Sequence, residues 1–125
     1  MQMLEAGGLP PLCDAARPAD AGNPRGYYEL EAVKRLPADA GWIDRAGGHA
    51  VKVVHARVLH LPRGPRYRVL WMERDLGEVV RSQAALLAAT GRGPDDALGD
   101  ARLAEILSQQ LAEVARALDA RGDAE

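Results

Sequence analysis

Residues 67–82, YRVLWMERDLGEVVRS, join a strong strand-forming run to a well-marked helix start. The β-branched and aromatic side chains of 67–72 suit a pleated, half-buried surface, so a strand is expected there. After Glu73 and Arg74, Asp75 and Glu78 form an Asp-x-x-Glu capping box. Leu76, Val79, Val80, Gln83 and Leu87 then recur at helical spacing, which predicts a helix over 75–90. Upstream, AVKVVH at 50–55 reads as a second strand, and Pro62, Gly64 and Pro65 keep the two runs apart. Tyr27, Leu30, Val33 and Leu36 predict a helix over 27–36 that Pro37 closes. A shorter helix is expected at 38–46 around Trp42 and Ile43, and a long amphipathic one over 98–120, with Leu103, Ile106, Leu107, Leu111, Val114 and Leu118 on one side. Met1 to Leu4, followed by Gly7-Gly8, reads as the last turns of a helix with a glycine stop, and the proline-rich residues 9–26 as a loop. Strands separated by helices give an α/β expectation.

Composition narrows the function classes. The chain has 125 residues, 47% hydrophobic and 27% charged, which suits one globular domain spanning 1–125. Cys13 is the sole cysteine, which excludes a disulfide framework and a Cys-rich zinc module. It is followed by Asp14, with no cationic neighbour in sequence to activate the thiol. No apolar run approaches the ~20 residues of a membrane span, and residues 1–15 lack a secretory leader pattern, so no membrane partner and a cytoplasmic location are expected. A net charge of −2 argues against nucleic acid as a partner. Charge is nonetheless uneven: residues 1–50, 51–81 and 82–125 carry −2, +4 and −4. Ser82, Thr90 and Ser108 are the only aliphatic hydroxyls, which removes most serine-nucleophile and phosphate-loop chemistry.

Arg74 stands at the carboxyl end of the expected strand, where ligands of open α/β sheets gather near helix N-termini. Ser82 lies seven residues beyond the cap, about 700° around the helix and about 10 Å along it, on the same face. An anion bridging Arg74 and Ser82 is one reading, and a solvated or salt-bridged arginine is the plainer one. The spacing Arg74–x₇–Ser82 after an apolar strand resembles the 3′-phosphate-binding motif of sulfotransferases that use 3′-phosphoadenosine 5′-phosphosulfate. Residues 1–8 (MQMLEAGG), 23–36 (NPRGYYELEAVKRL) and 50–54 (AVKVV) are similar, in order, to bacterial members of that family, so the likeness covers about residues 1–118.

The resemblance implies a partial nucleoside-triphosphate-hydrolase-like parallel sheet flanked by helices. It implies 3′-phosphoadenosine 5′-phosphosulfate as co-substrate, with Arg74 and Ser82 on its 3′-phosphate. The parent activity would be sulfuryl transfer to a hydroxyl or amine of a small-molecule acceptor. Family members also carry a loop of the Pro-Arg-Ser-Gly-Thr type for the 5′-phosphosulfate, and these 125 residues contain none. The expectation is therefore an N-terminally truncated sulfotransferase-like polypeptide that does not transfer sulfuryl groups alone; an in-frame upstream segment carrying such a loop would make Met1 internal to a longer enzyme. The alternative is a non-catalytic fragment or small interaction module, with self-association through an exposed sheet edge.

Other residues carry weaker expectations. The family often places a histidine after the lysine matching Lys52, where this chain has Val53 and Val54; His55 and His60 are the nearest candidate bases. Strand alternation would set Lys52 and Val54 on one face, with Val53 and His55 on the other. Tyr27 and Tyr28 either line an acceptor pocket or pack, and Glu29 and Glu31 face water. Arg57, Arg63, Arg66 and Arg68 read as a solvated face, and Asp95, Asp96 and Asp100 as a solvated turn and helix start rather than a metal site.

Overall fold

The computed structural model describes residues 1–14, 16–20, 23–89 and 99–125, divided between two compact units, Met1–Gly64 and Pro65–Glu125. In the first unit α1 spans Gln2–Ala6, α2 Glu31–Lys34 and α3 His55–Val58, with a 3₁₀ turn at Gly41–Arg45. The second unit holds α4, Leu76–Ala89, and α5, Asp100–Asp119, which pack on each other.

The expected α/β sheet, a parallel sheet flanked by helices, is absent from the described residues. Among the described residues β-pairing is limited to three isolated bridges, Pro11 with Ala50, Asp20 with Asn23, and Tyr67 with Ala124. The strand-forming runs are almost unpartnered, because β-propensity is realised only against cross-strand neighbours. Ala50 exchanges hydrogen bonds with Pro10 and Leu12, and from Val51 to Val54 the chain continues without a ladder. His55, expected at the end of that strand, opens α3. Likewise Tyr67 and Val69 pair with the carboxyl-terminal residues 123–125, whereas Leu70 and Met72 are 66% and 85% exposed.

The core of the first unit is formed by Leu30, Val33, Leu36 and Trp42, with Leu12, Ile43, Val51, Val53 and Leu61 against it. Alternation therefore survives without a sheet: Val51 and Val53 turn inward, and Lys52 and Val54 outward. The expected helix over 27–36 shortens to α2, since residues 27–30 are non-helical and Tyr28 has a φ of 51°. An acceptor from a distant loop caps α2. Asp14 takes hydrogen bonds from the backbone N–H groups of Glu31, at 2.6 Å, and Ala16, at 3.0 Å.

Glycines end α1 as expected, with Gly7 at the C-cap and Gly8 supplying the left-handed φ of 86°. In the second unit α5 turns Leu103, Ile106, Leu107, Leu111, Val114 and Leu118 away from full exposure, which matches its expected stripe. In α4 only the first half follows its pattern. Val80 is buried, but Leu86 and Leu87 are exposed. The end of the expected 75–90 helix at Thr90, the start of the expected 98–120 helix at Leu98, and Asp95-Asp96 lie outside the described residues.

The cap on α2 is pH-sensitive. Hydrogen bonds from Glu31 N–H and then Ala16 N–H hold the Asp14 carboxyl below its ordinary 3.8. A depressed folded-state pKa contributes stability that is complete above 3.8 and is lost as pH falls through the lower folded value. The unfolding midpoint of the wild-type chain should therefore drop more steeply below pH 3.8 than that of Asp14→Asn. Parallel profiles in acid would contradict the role given to Asp14.

Candidate functional site

The site is built on the first turn of α4. Asp75 accepts a hydrogen bond from the Glu78 N–H at 2.8 Å, and its carbonyl accepts one from Val79 at 3.1 Å. The capping residue read from sequence thus starts the helix where expected, and an N-cap carboxylate also opposes the positive end of the helix dipole. Arg74 immediately precedes this cap, and Ser82 follows two turns later.

Arg74 and Ser82 line one shallow cleft of about 150 Å³, together with Val79, Gln83 and Leu86. The two residues singled out from sequence are thus brought to a common cavity. Ser82 is exposed, so its hydroxyl meets solvent or a ligand. Arg74 Nη2 lies 3.6 Å from Glu78 Oε2, with both side chains more than half exposed. Such a surface pair is worth about 0–1 kcal/mol and yields readily to a better anion.

Guanidinium, hydroxyl and amide donors on one wall suit an oxyanion with several acceptor oxygens. Nothing in the cleft is a nucleophile activated by a base. Among the described residues no group of His, Cys, Asp and Glu is arranged to hold a metal ion. His49, His55 and His60 belong to Met1–Gly64, whereas Arg74 and Ser82 belong to Pro65–Glu125. His49 Nδ1 lies 2.9 Å from the carbonyl of Gly47.

Comparisons with family models, with curated proteins and with solved structures found no match for this chain.

Two features of the cleft escaped the sequence reading. Gln83, expected only as one of the residues at helical spacing in α4, borders the cavity. Glu78 was read only as a partner of the cap, yet its carboxylate turns to Arg74, an i,i+4 pairing that the spacing already contained.

The first unit brings a further correction. Glu29, expected to face water, has a side chain only 22% exposed. Its carboxylate lies 3.4 Å from Arg17 Nη1, 3.3 Å from Lys34 Nζ and 3.8 Å from Lys52 Nζ. Arg17 also stacks on the Tyr27 ring, 3.4 Å from its centroid. Tyr27 in turn donates to Asp20 Oδ2 at 2.8 Å, and that bond holds the phenol above its ordinary pKa. The non-helical backbone at 27–30 is the reason, because it removes Glu29 from the outer face of the helix expected there. The four arginines read as one solvated face are divided: Arg57 and Arg63 belong to the first unit, Arg66 and Arg68 to the second. Arg57 donates to the Leu36 carbonyl at 3.0 Å, and Arg68 pairs with Glu125 at 3.0 Å.

The geometry separates scaffold from ligand contact. Asp75→Ala should cost about 1 kcal/mol in urea unfolding, the usual value of a lost N-cap. Ser82→Ala, at an exposed position, should stay within about 0.5 kcal/mol of wild type. Equal losses for both would show that Ser82 supports the helix rather than standing free on the cleft.

Proposed function

We propose that the chain is a sulfotransferase-family polypeptide that recognises the 3′-phosphate of 3′-phosphoadenosine 5′-phosphosulfate, or of its product adenosine 3′,5′-bisphosphate, through Arg74 and Ser82. The observation that carries this reading is the shared cleft at the start of α4, lined by both residues. Arg74 would give charge-assisted N–H bonds and Ser82 its hydroxyl, with Gln83 within the same wall. The phosphate would displace Glu78 from Arg74, exchanging an exposed carboxylate for a dianion.

The parent reaction is sulfuryl transfer to a hydroxyl or amine. Transfer needs donors arranged around the charge that develops on the moving group. The 125 residues contain no Pro-Arg-Ser-Gly-Thr-type loop to supply them. The function proposed for this chain is accordingly nucleotide recognition, not transfer.

Calorimetric titration of the full chain with adenosine 3′,5′-bisphosphate tests the reading. Saturable binding is expected, weakened about tenfold or more in Arg74→Ala, since a hydrogen bond to a charged group contributes about 1.5–3 kcal/mol. Glu78→Gln should tighten binding by removing the competing carboxylate. Absent binding, or binding unchanged in Arg74→Ala, would refute the assignment.

A further inference from the structure

A second cavity is lined wholly by residues of the first unit and includes no residue discussed as a nucleotide contact. It has a volume of about 410 Å³, within the range of small-molecule pockets, commonly about 300–1,000 Å³. Its floor is apolar: Leu30 and Val33 present the outer side of the core, and Ala56 and Val54 continue the wall. Val54 is 54% exposed, a large apolar side chain held open to solvent at the mouth of a concave surface.

The remaining lining is charged and unbalanced. Lys34, Lys52 and Arg57 stand against the single carboxylate of Glu29. Lys34 is committed to two acceptors, Glu31 at 2.8 Å and Glu29 at 3.3 Å. Lys52 gives one hydrogen bond to the Tyr27 carbonyl at 3.2 Å and sits at 3.8 Å from Glu29, which leaves capacity on a three-donor ammonium. Arg57 uses Nη1 on the Leu36 carbonyl, and a guanidinium carries five N–H donors in all. Both cations with donors to spare therefore border the apolar wall.

The geometry points to a binding site for an aliphatic monocarboxylate, its head group on Lys52 and Arg57 and its chain on Leu30, Val33 and Val54. An apolar tail gains from burial on this wall at about 25 cal/mol per Å². The carboxylate supplies the negative charge the lining lacks. Opposite charge and apolar area then act at one place, which neither a neutral hydrocarbon nor a small hydrophilic anion can exploit. The site is independent of Arg74 and Ser82 and stands whether or not the nucleotide assignment does.

Octanoate is the probe, titrated below micelle-forming concentrations into the full chain and followed by amide chemical shifts. Saturable shifts confined to residues 29–34 and 52–57 are expected. Acetate, which has the head alone, and octyltrimethylammonium, which has the tail with the wrong charge, should each bind at least tenfold more weakly. Val54→Asp changes an exposed residue, so the fold should persist while octanoate affinity falls at least tenfold. The same variant should bind adenosine 3′,5′-bisphosphate as the wild type does. Lys52→Met should weaken octanoate while leaving the thermal midpoint in place. Equal affinity for octanoate and acetate, equal affinity for octanoate and the ammonium compound, or undiminished octanoate binding by Val54→Asp would each overturn the proposal.

Discussion

The hydrogen bond from the Glu78 N–H to the Asp75 carboxylate sets where α4 begins, and the candidate site depends on that register. Ser82 returns to the face of the cap only because two full turns separate them. A start one residue later would turn its hydroxyl by about 100° away from Arg74. The cap also leaves Arg74 just outside the helix, in an exposed ion pair with Glu78. An arginine in an exposed ion pair, on the same cleft as an exposed serine, can turn to an anion at small cost.

Much of the local structure was legible in sequence. The glycine stop of α1, the Asp75 cap and the apolar stripe of α5 each follow from interactions within a few residues, and each is present. Spacing put Arg74 and Ser82 on one side of the helix start, and the family resemblance singled them out; both line one cleft. The absence of a sheet among the described residues was not legible. The runs 50–55 and 67–72 have strand composition, but whether such a run becomes a strand is settled by neighbours remote in the chain. Here Ala50 meets Pro10 and Leu12, Tyr67 meets the carboxyl terminus, and the rest of each run has no ladder. Glu29 failed for a related reason: its surroundings come from Arg17, Lys34 and Lys52, and the backbone carrying it is not helical.

Stability in the two units accordingly rests on different devices. In Met1–Gly64 short helical turns surround a small apolar cluster, and long-range ties such as Asp14 to Glu31 N–H and Arg57 to the Leu36 carbonyl stand in for sheet hydrogen bonds. In Pro65–Glu125 two long helices pack on each other, and the carboxyl-terminal residues pair with Tyr67 and Val69. Arg121 is buried, bonded to Asp123 at 2.7 Å and 5.4 Å above the Tyr67 ring, so it fastens that terminus in place. Beyond this pairing, exposed Leu70 and Met72 carry apolar surface that a strand neighbour would cover, and such surface marks interaction sites in folded proteins.

The proposed role of Arg74 and Ser82 is to recognise a phosphate on the 3′ side of a nucleotide. The most direct measurement compares the affinity of the full chain for adenosine 3′,5′-bisphosphate and for adenosine 5′-monophosphate at one ionic strength. The two ligands share the base, sugar and 5′-phosphate and differ only in the group assigned to Arg74 and Ser82. Recognition through Arg74 and Ser82 should make the bisphosphate bind at least tenfold more tightly, about 1.4 kcal/mol or more. Equal affinities would contradict it.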